Sequence, residues 1–193
     1  MNEQVIRIPV RSSWLSARKF ANIIVTLYRP VGTGPFPLAV INHGSNVNAV
    51  ECSNPRRFRF FPQSRTLVNW GFAVIVPTRR GYGDSEGPLA ESYQTGEAVD
   101  FHRLGLETAF DIHAAISFMR RQPWVDSSRV VAFGHSAGGY GCLALGSQPV
   151  DGVKGLINFG GIRGSRATDN RAFGSVVAAV GKYGETATVP SLW

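Results

Sequence analysis

The chain has 193 residues, 44% of them hydrophobic and 17% charged, which excludes a disordered chain and fits one domain of ordinary size. The formal net charge is +7, but the densest basic run, Arg56-Arg57-Phe58-Arg59, lies in a predicted loop and is too short for a nucleic-acid groove. No apolar run approaches the roughly 20 residues that cross a bilayer. We therefore expect a single domain over residues 1–193 with neither a nucleic-acid nor a membrane partner.

The N-terminal segment and the cysteines bear on the compartment in which the chain works. The segment lacks the basic-then-apolar pattern of a signal peptide, so the cytoplasm is the default location, although a mature exported form would look the same. Cys52 and Cys142 are too few for a metal cluster or a disulfide framework. Cys142 stands in an apolar stretch typical of a core, and whether the two cysteines pair is left open.

Short β-branched runs alternate with helical patterns along the chain. The predicted strands, in chain order, are Val5–Val10, Ile23–Tyr28, Leu38–Asn42, Phe72–Val76, Arg129–Phe133 and Lys154–Phe159. The predicted helices are Ser64–Trp70, Glu97–Arg121, Ala137–Leu145 and Arg171–Lys182. Because strands alternate with helices and several strands are apolar nearly throughout, the sequence predicts an α/β fold with a mostly parallel sheet flanked by helices.

The motif G-x-S-x-G, whose serine can act as a nucleophile, occurs twice, around Ser85 and around Ser136. It works only where a strand runs into the serine and a helix leaves directly after it, with small residues two positions to either side. Ser136 meets these conditions, since RVVAFG precedes it and Gly134 and Gly138 flank it. Around Ser85, Pro88 stands where a helix would begin. We predict that Ser136 is the nucleophile and that Ser85 is a loop hydroxyl.

An attacking serine needs hydrogen-bond donors for the oxyanion that it creates. The N–H of Ala137, directly after the nucleophile, is the first predicted donor, and the second is expected from the loop after an early strand. Here HGS follows the strand LAVIN, and we predict the N–H of Ser45, with Gly44 allowing the tight turn. His43 is predicted to brace this loop by hydrogen bonding, and His135 to be a packing or pocket-wall residue.

From about Ile23 onward the chain resembles the α/β-hydrolase superfamily, in particular its dienelactone-hydrolase-like and prolyl-oligopeptidase-like branch. The stretches that carry the resemblance are PLAVINHGS, GFAVIVPTRRGYGDSEG, PWVDSSRVVAFGHSAGG and VKGLINFGG, and a final VPSLW resembles the strand that precedes the catalytic acid. The resemblance implies the α/β-hydrolase fold and a serine hydrolase that requires no cofactor or metal. Dienelactone hydrolase itself has Cys where this chain has Ser136, which favours ester hydrolysis over lactone chemistry.

The sequence does not contain the expected partners of the serine. In this fold the acid and the histidine follow the nucleophile in chain order, but all four histidines precede Ser136. The favoured interpretation is a truncated chain without the last strands and helix, lacking about 50–80 residues that carry the acid and the histidine. The alternatives are a non-catalytic binding protein and, less favoured, a substitute base at His102 or His113. Asp169 is a weak candidate for the acid.

The function expected from these features is hydrolysis of small-molecule carboxylic esters, with negligible turnover by these 193 residues alone. A peptidase or a thioesterase would share the same machinery. The arginines at positions 56, 57 and 59 either select anionic acyl groups or, as we prefer, form a solvated loop, and Tyr82 and Tyr140 are candidate pocket residues. A final strand without a neighbour is expected to leave a sheet edge through which copies of the chain associate.

Overall fold

The computed structural model describes residues 1–11, 20–45, 52–91, 99–148, 150–162 and 170–193. Seven strands form one sheet: β1 (Asn2–Arg11), β2 (Phe20–Arg29), β3 (Phe36–Asn42), β4 (Ala73–Thr78), β5 (Val125–His135), β6 (Val153–Phe159) and β7 (Ser191–Leu192). The long helices of the described ranges are α1 (Phe61–Asn69), α2 (Phe101–Met119), α3 (Ala137–Gly146) and α4 (Asn170–Thr186). None of these helices is both long and apolar enough to cross a membrane.

The strands lie in the order β1-β2-β4-β3-β5-β6-β7. β1 pairs antiparallel with β2, and β2 antiparallel with β4, whereas every other neighbouring pair is parallel. This arrangement confirms the predicted α/β fold with a mostly parallel sheet. Because β3 and β5 are parallel neighbours, their carboxyl ends reach the same edge of the sheet.

Local chemistry explains where the structure moves the predicted element boundaries. α1 begins at Phe61 rather than Ser64, with a proline in its first turn, where the missing N–H costs nothing. α2 begins after Asp100, whose side chain accepts a hydrogen bond from Arg103 N and so caps the helix. The first residues of the predicted helix Glu97–Arg121 lie outside the described ranges. β5 begins at Val125 instead of four residues later, because Val125 pairs with Phe36.

The side chains of β3 alternate between two hydrophobic clusters, one on each face of the sheet. Leu38 and Val40 join the larger cluster, which buried residues of α2, α3 and α4 complete. Ala39 and Ile41 join the smaller cluster, which lies beneath α1. β3 is thus covered on both faces, which is why its sequence is apolar throughout and why its end is held firmly in place.

The α1 face of the sheet is covered unevenly. A groove of about 670 Å³ lies between α1 and the ends of β5 and β6, and aromatic side chains form much of its lining. Two of them are exposed, Trp70 at 71% and Phe159 at 57%. At the edge of the sheet, β7 also exposes Leu192 and the adjacent Trp193. Exposed apolar side chains at the edge of a sheet are typical of surfaces that associate.

We expect the chain to self-associate through this edge, and Leu192→Lys to shift the equilibrium toward monomer, because an edge lysine disfavours strand pairing between copies. Sedimentation velocity over a range of concentrations measures the shift. The control is Val31→Lys, which replaces an apolar side chain that is 93% exposed between β2 and β3. A monomeric parent at high concentration, or an equal response of the two variants, would contradict the expectation.

Candidate active site

Ser136 occupies a sharp turn between β5 and α3. Its backbone has φ 52° and ψ −122°, a conformation that residues other than glycine rarely adopt and that costs about 1–3 kcal/mol. Two hydrogen bonds hold the turn: Ser136 N donates to Phe159 O at 3.0 Å, and Tyr140 N donates to Ser136 O at 3.0 Å. Ser136 thus lies at a strand-to-helix turn at the carboxyl end of β5, which is the local arrangement that the G-x-S-x-G motif predicted.

The two glycines of the motif are required by the close approach of α3 to the sheet. A Cβ on Gly134 would lie 2.3 Å from backbone atoms of Gly138, and a Cβ on Gly138 would lie 2.4 Å from Asn42 O. Both contacts are to backbone, which cannot move aside as a flexible side chain can. The first turn of α3 therefore packs directly on the ends of β3 and β5.

The loop after β3 reaches the nucleophile. β3 pairs with β5 up to Asn42 and Gly134, so that the following residues continue beside Ser136. A Cβ on Gly44 would lie 3.3 Å from the Cβ of Ser136, which leaves little room for a larger residue. Ser45 follows this glycine and is exposed, and Ala137 is fully buried at the start of α3. Ala137 directly follows Ser136 at the N-terminus of α3, where the first amides lack partners within the helix and are suited to bind an anion. Ser45 directly follows Gly44, the residue of the β3 loop that lies beside Ser136.

His43 is buried at the base of this loop and forms two hydrogen bonds through its ring. Arg79 N donates to Nε2 at 3.1 Å, so this nitrogen is unprotonated and the hydrogen resides on Nδ1, which donates to Gly44 O at 2.7 Å. Phe58 stacks on the ring with a centroid distance of 3.8 Å. Burial, followed by the positive charge of Arg79, holds the pKa of His43 well below its usual value. His43 is thus a neutral structural group rather than a base.

None of the other three histidines, at positions 102, 113 and 135, is hydrogen-bonded to Ser136 in the part of the chain that the structure describes. His102 stacks on Tyr183 with a centroid distance of 5.0 Å, and His113 lies on the exposed side of α2. His135 lines the groove beside α1, in the pocket wall where it was predicted. Within the described ranges no hydrogen bond connects a histidine ring with Ser136, and no three His, Cys, Asp or Glu side chains could hold a metal ion together. Asp169 lies outside those ranges.

The second G-x-S-x-G motif has a structural role. Ser85 Oγ donates to Thr78 O at 2.6 Å and accepts from Ile24 N at 2.9 Å. These bonds attach the loop after β4 to β2 and leave the hydroxyl in no position to attack a substrate. The two cysteines are buried and are not joined in a disulfide bond, and burial raises the pKa of the Cys142 thiol to about 12.

The arginine loop is partly solvated and partly paired with carboxylates. Arg57 and Arg59 donate to the carboxylate of Glu3 on β1, and Arg56 pairs with Asp84. The side chains of Arg56 and Arg59 stay 83% and 50% exposed, as a solvated loop implies, and the pairs with Glu3 also attach this segment to β1. No arginine of this loop lines the groove beside α1.

The two candidate pocket tyrosines are core residues instead. Tyr140 is fully buried and donates through its hydroxyl to Phe101 O at 3.1 Å, which joins α3 to α2. Tyr82 is 1% exposed and packs edge-on against His43. Their aromatic character suggested a pocket, but in this fold both rings are enclosed by other elements.

Sequence reasoning missed two buried arginines at the end of β4. Arg79 pairs with Glu91 and also contacts His43, whereas Arg80 pairs with Asp111 and Glu107 on α2. Both guanidinium groups are inaccessible to solvent. The signal that could have found them is their position, because two consecutive arginines directly follow a strand that is apolar throughout.

Comparisons with known sequences agree with this geometry. The profile of the prolyl oligopeptidase family (Peptidase_S9) matches residues 58–151, a stretch that includes Ser136. The quorum-quenching protein AidA of Acinetobacter baumannii (strain MDR-ZJ06) is 34% identical over 122 residues. These residues make up 63% of this chain and 34% of AidA, so the match spans about a third of that relative's length.

Solved structures with the same architecture have little sequence in common with the chain. Pyrococcus horikoshii acylaminoacyl peptidase matches with a TM-score of 0.62 at 18% identity, covering 99% of this chain and 31% of that one. A putative dienelactone hydrolase from Klebsiella pneumoniae subsp. pneumoniae MGH 78578 matches with a TM-score of 0.54 at 13% identity, covering 100% of this chain and 85% of that one. At these identities the likeness concerns the fold alone.

We expect Gly138→Ala to lower the free energy of unfolding by about 1–3 kcal/mol, because the added methyl group meets the backbone of β3. Urea denaturation followed by circular dichroism measures the change. Gly181→Ala on α4 is the control, since a Cβ there meets nothing within 4 Å and alanine stabilises a helix by up to about 1 kcal/mol. Equal effects of the two substitutions would contradict the packing argument.

The depressed pKa of His43 predicts a loss of stability in acid. The folded state holds the ring neutral, whereas the unfolded chain takes up a proton below the ordinary histidine pKa of 6.5, so lowering the pH below 6.5 favours unfolding. One proton lowers the free energy of unfolding by up to about 1.4 kcal/mol per pH unit. In His43→Gln, whose amide oxygen can still accept from Arg79 N, this contribution should vanish. The measurement is the free energy of unfolding of the parent and of His43→Gln as a function of pH. An equal decrease in the two proteins between pH 6.5 and 5 would refute the assignment of a neutral His43 in the folded state.

Proposed function

We propose that this chain, a member of the α/β-hydrolase superfamily, is the nucleophile-bearing part of a serine hydrolase that acts on carboxylic esters. The observation that carries the proposal is the strained backbone of Ser136 at the junction of β5 and α3. Strain of this kind persists only where the surrounding structure enforces it, and it is typical of functional positions. Among the described residues other than glycine, Phe60 alone shares a positive φ with Ser136.

In the proposed reaction Ser136 Oγ attacks the acyl carbon of the ester and forms a tetrahedral intermediate. The N–H groups of Ala137 and Ser45 hold the oxyanion, each from a loop or helix end that packing keeps in place. The alkoxide leaves with a proton, and water then releases the acid from the acyl-serine. The groove beside α1 ends at His135, next to the nucleophile in the chain, and offers apolar surface for an acyl or alkyl group.

The base that must accept the serine proton is not found among the four histidines. His43 has both ring nitrogens occupied, and His102 and His113 lie on α2. His135 precedes the serine in the chain, lines the groove beside α1 and, among the described residues, makes no hydrogen bond to Ser136. We propose that the base and its orienting acid come from residues other than 1–193. The 193 residues alone should then turn over esters at a negligible rate, because the oxyanion hole without a base leaves only residual catalysis.

A peptidase is the second candidate. The match to the prolyl oligopeptidase family over residues 58–151 favours it. The nucleophile and the oxyanion donors would be the same, and the leaving group would be an amine rather than an alcohol. Comparing acylation of Ser136 by a p-nitrophenyl ester and by an acyl-peptide p-nitroanilide, under identical conditions, separates the two candidates.

The test of the nucleophile uses the 193-residue chain with imidazole supplied as a diffusible base. We expect a fluorophosphonate to label Ser136, faster as imidazole is added, because the free base substitutes for the missing histidine. Intact-mass and peptide mass spectrometry locate the adduct. Ser136→Ala should abolish the labelling. Ser85→Ala, the matched control in the second motif, should leave it unchanged.

Other outcomes decide between the alternatives. Absence of labelling with imidazole present, or labelling that survives in Ser136→Ala, would refute the hydrolase and favour a binding protein with this fold. Rapid multiple turnover of an ester by the chain without imidazole would show that one of its own histidines acts as base, and would overturn the assignment of the missing partners.

A further inference from the structure

Arg79 and Glu91 form a buried ion pair directly behind the loop His43–Ser45. Arg79 Nε donates to Glu91 Oε1 at 2.5 Å and Nη2 donates to Oε2 at 3.2 Å, with the side chains 0% and 3% exposed. A buried pair is tolerated when further hydrogen bonds satisfy its remaining groups. The residues that accept those further hydrogen bonds therefore show which part of the structure the ion pair supports.

Two further donors of Arg79 go to His43. Nη1 of Arg79 donates to the His43 carbonyl at 2.7 Å, and the backbone N–H of Arg79 donates to the Nε2 of the ring at 3.1 Å. The ring in turn donates from Nδ1 to the carbonyl of Gly44 at 2.7 Å. Arg79 thus fixes the direction of the His43 carbonyl group and also selects the tautomer of the His43 ring, in which Nδ1 carries the hydrogen.

These bonds fix two successive peptide planes. In a trans peptide the C=O and the N–H of the same plane point in opposite directions. Holding the His43 carbonyl sets the direction of the Gly44 N–H, and holding the Gly44 carbonyl sets the direction of the Ser45 N–H. The Ser45 N–H is the proposed oxyanion donor, and the fixed Gly44 carbonyl turns it away from the His43 ring.

We propose that Arg79 and Glu91 are positioning residues of the oxyanion hole, acting through His43 on the amide of Ser45. The inference rests on the proposed function. Neither side chain needs to touch a substrate. Their effect is to keep the donor aimed before the reaction begins, which is the property that makes oxyanion holes effective.

The neighbouring arginine provides the contrast. Arg80 is buried as completely as Arg79, but it bonds to Asp111 and Glu107 on α2 and makes no bond to the loop among the described residues. Its role is to attach the end of β4 to α2. A loss of charge pairing at Arg80 should therefore disturb packing without turning the amide of Ser45.

The test compares three variants of the full chain: Glu91→Gln, the double substitution Arg79→Met with Glu91→Leu, and Glu107→Gln as the matched control. The double variant replaces the ion pair with apolar side chains, which is often tolerated where a single unpaired charge is not. Two quantities are measured: the ¹H–¹⁵N resonance of the Ser45 amide, and the rate of imidazole-assisted phosphonylation of Ser136 as a function of reagent concentration.

We expect the first two variants to shift the Ser45 resonance and to slow the maximal labelling rate about tenfold, with little change in the half-saturating reagent concentration. This effect is smaller than the roughly 10²–10³-fold loss on removal of one oxyanion donor, because the donor is misaligned and not removed. Glu107→Gln should leave both quantities near those of the parent. A folded double variant with a parent-like Ser45 resonance, or equal effects in Glu107→Gln, would overturn the proposal. If Ser136 of the parent is not labelled, the proposed function fails, and the Ser45 resonance alone decides the positioning role.

Discussion

The first turn of α3 packs against the ends of β3 and β5 without intervening side chains, and the candidate site depends on this contact. Gly134 and Gly138 allow it, since a methyl group at either position would overlap backbone. The contact forces Ser136 into its unusual backbone conformation and brings the loop after β3 beside it. The positions of Ser136, of the N-terminus of α3 and of the loop after β3 are therefore consequences of one packing arrangement and not three separate features.

The loop after β3 is also held by a buried ion pair between Arg79 and Glu91. Arg79 satisfies a carboxylate on one side and the backbone and ring of His43 on the other. Burying such a group is costly, and the cost is offset only while every hydrogen bond is made. A network of this kind has one low-energy arrangement, so it favours rigidity at the place where a proposed oxyanion donor must be held.

The two faces of the sheet differ in how completely helices cover them, and they differ in role accordingly. The face beneath α2, α3 and α4 holds the larger core, which includes Tyr140, one of the two tyrosines predicted as pocket residues. The face beside α1 keeps a groove of about 670 Å³ with exposed aromatic side chains. The face beneath α2, α3 and α4 packs against the turn at Ser136. The face beside α1 offers apolar surface to a ligand or to another copy of the chain.

The sequence by itself determined the α/β architecture, most strand positions and the choice of Ser136 over Ser85, because these depend on periodicity and on residues within five positions of each other. The tertiary structure decided the rest. The tautomer of His43, the pairing of Arg79 with Glu91 and the attachment of Arg57 to Glu3 join residues 12 to 54 positions apart. Such contacts follow from how strands and loops pack in space. For the same reason the arginine loop, which reads as solvated along the chain, is tied to β1 in the fold.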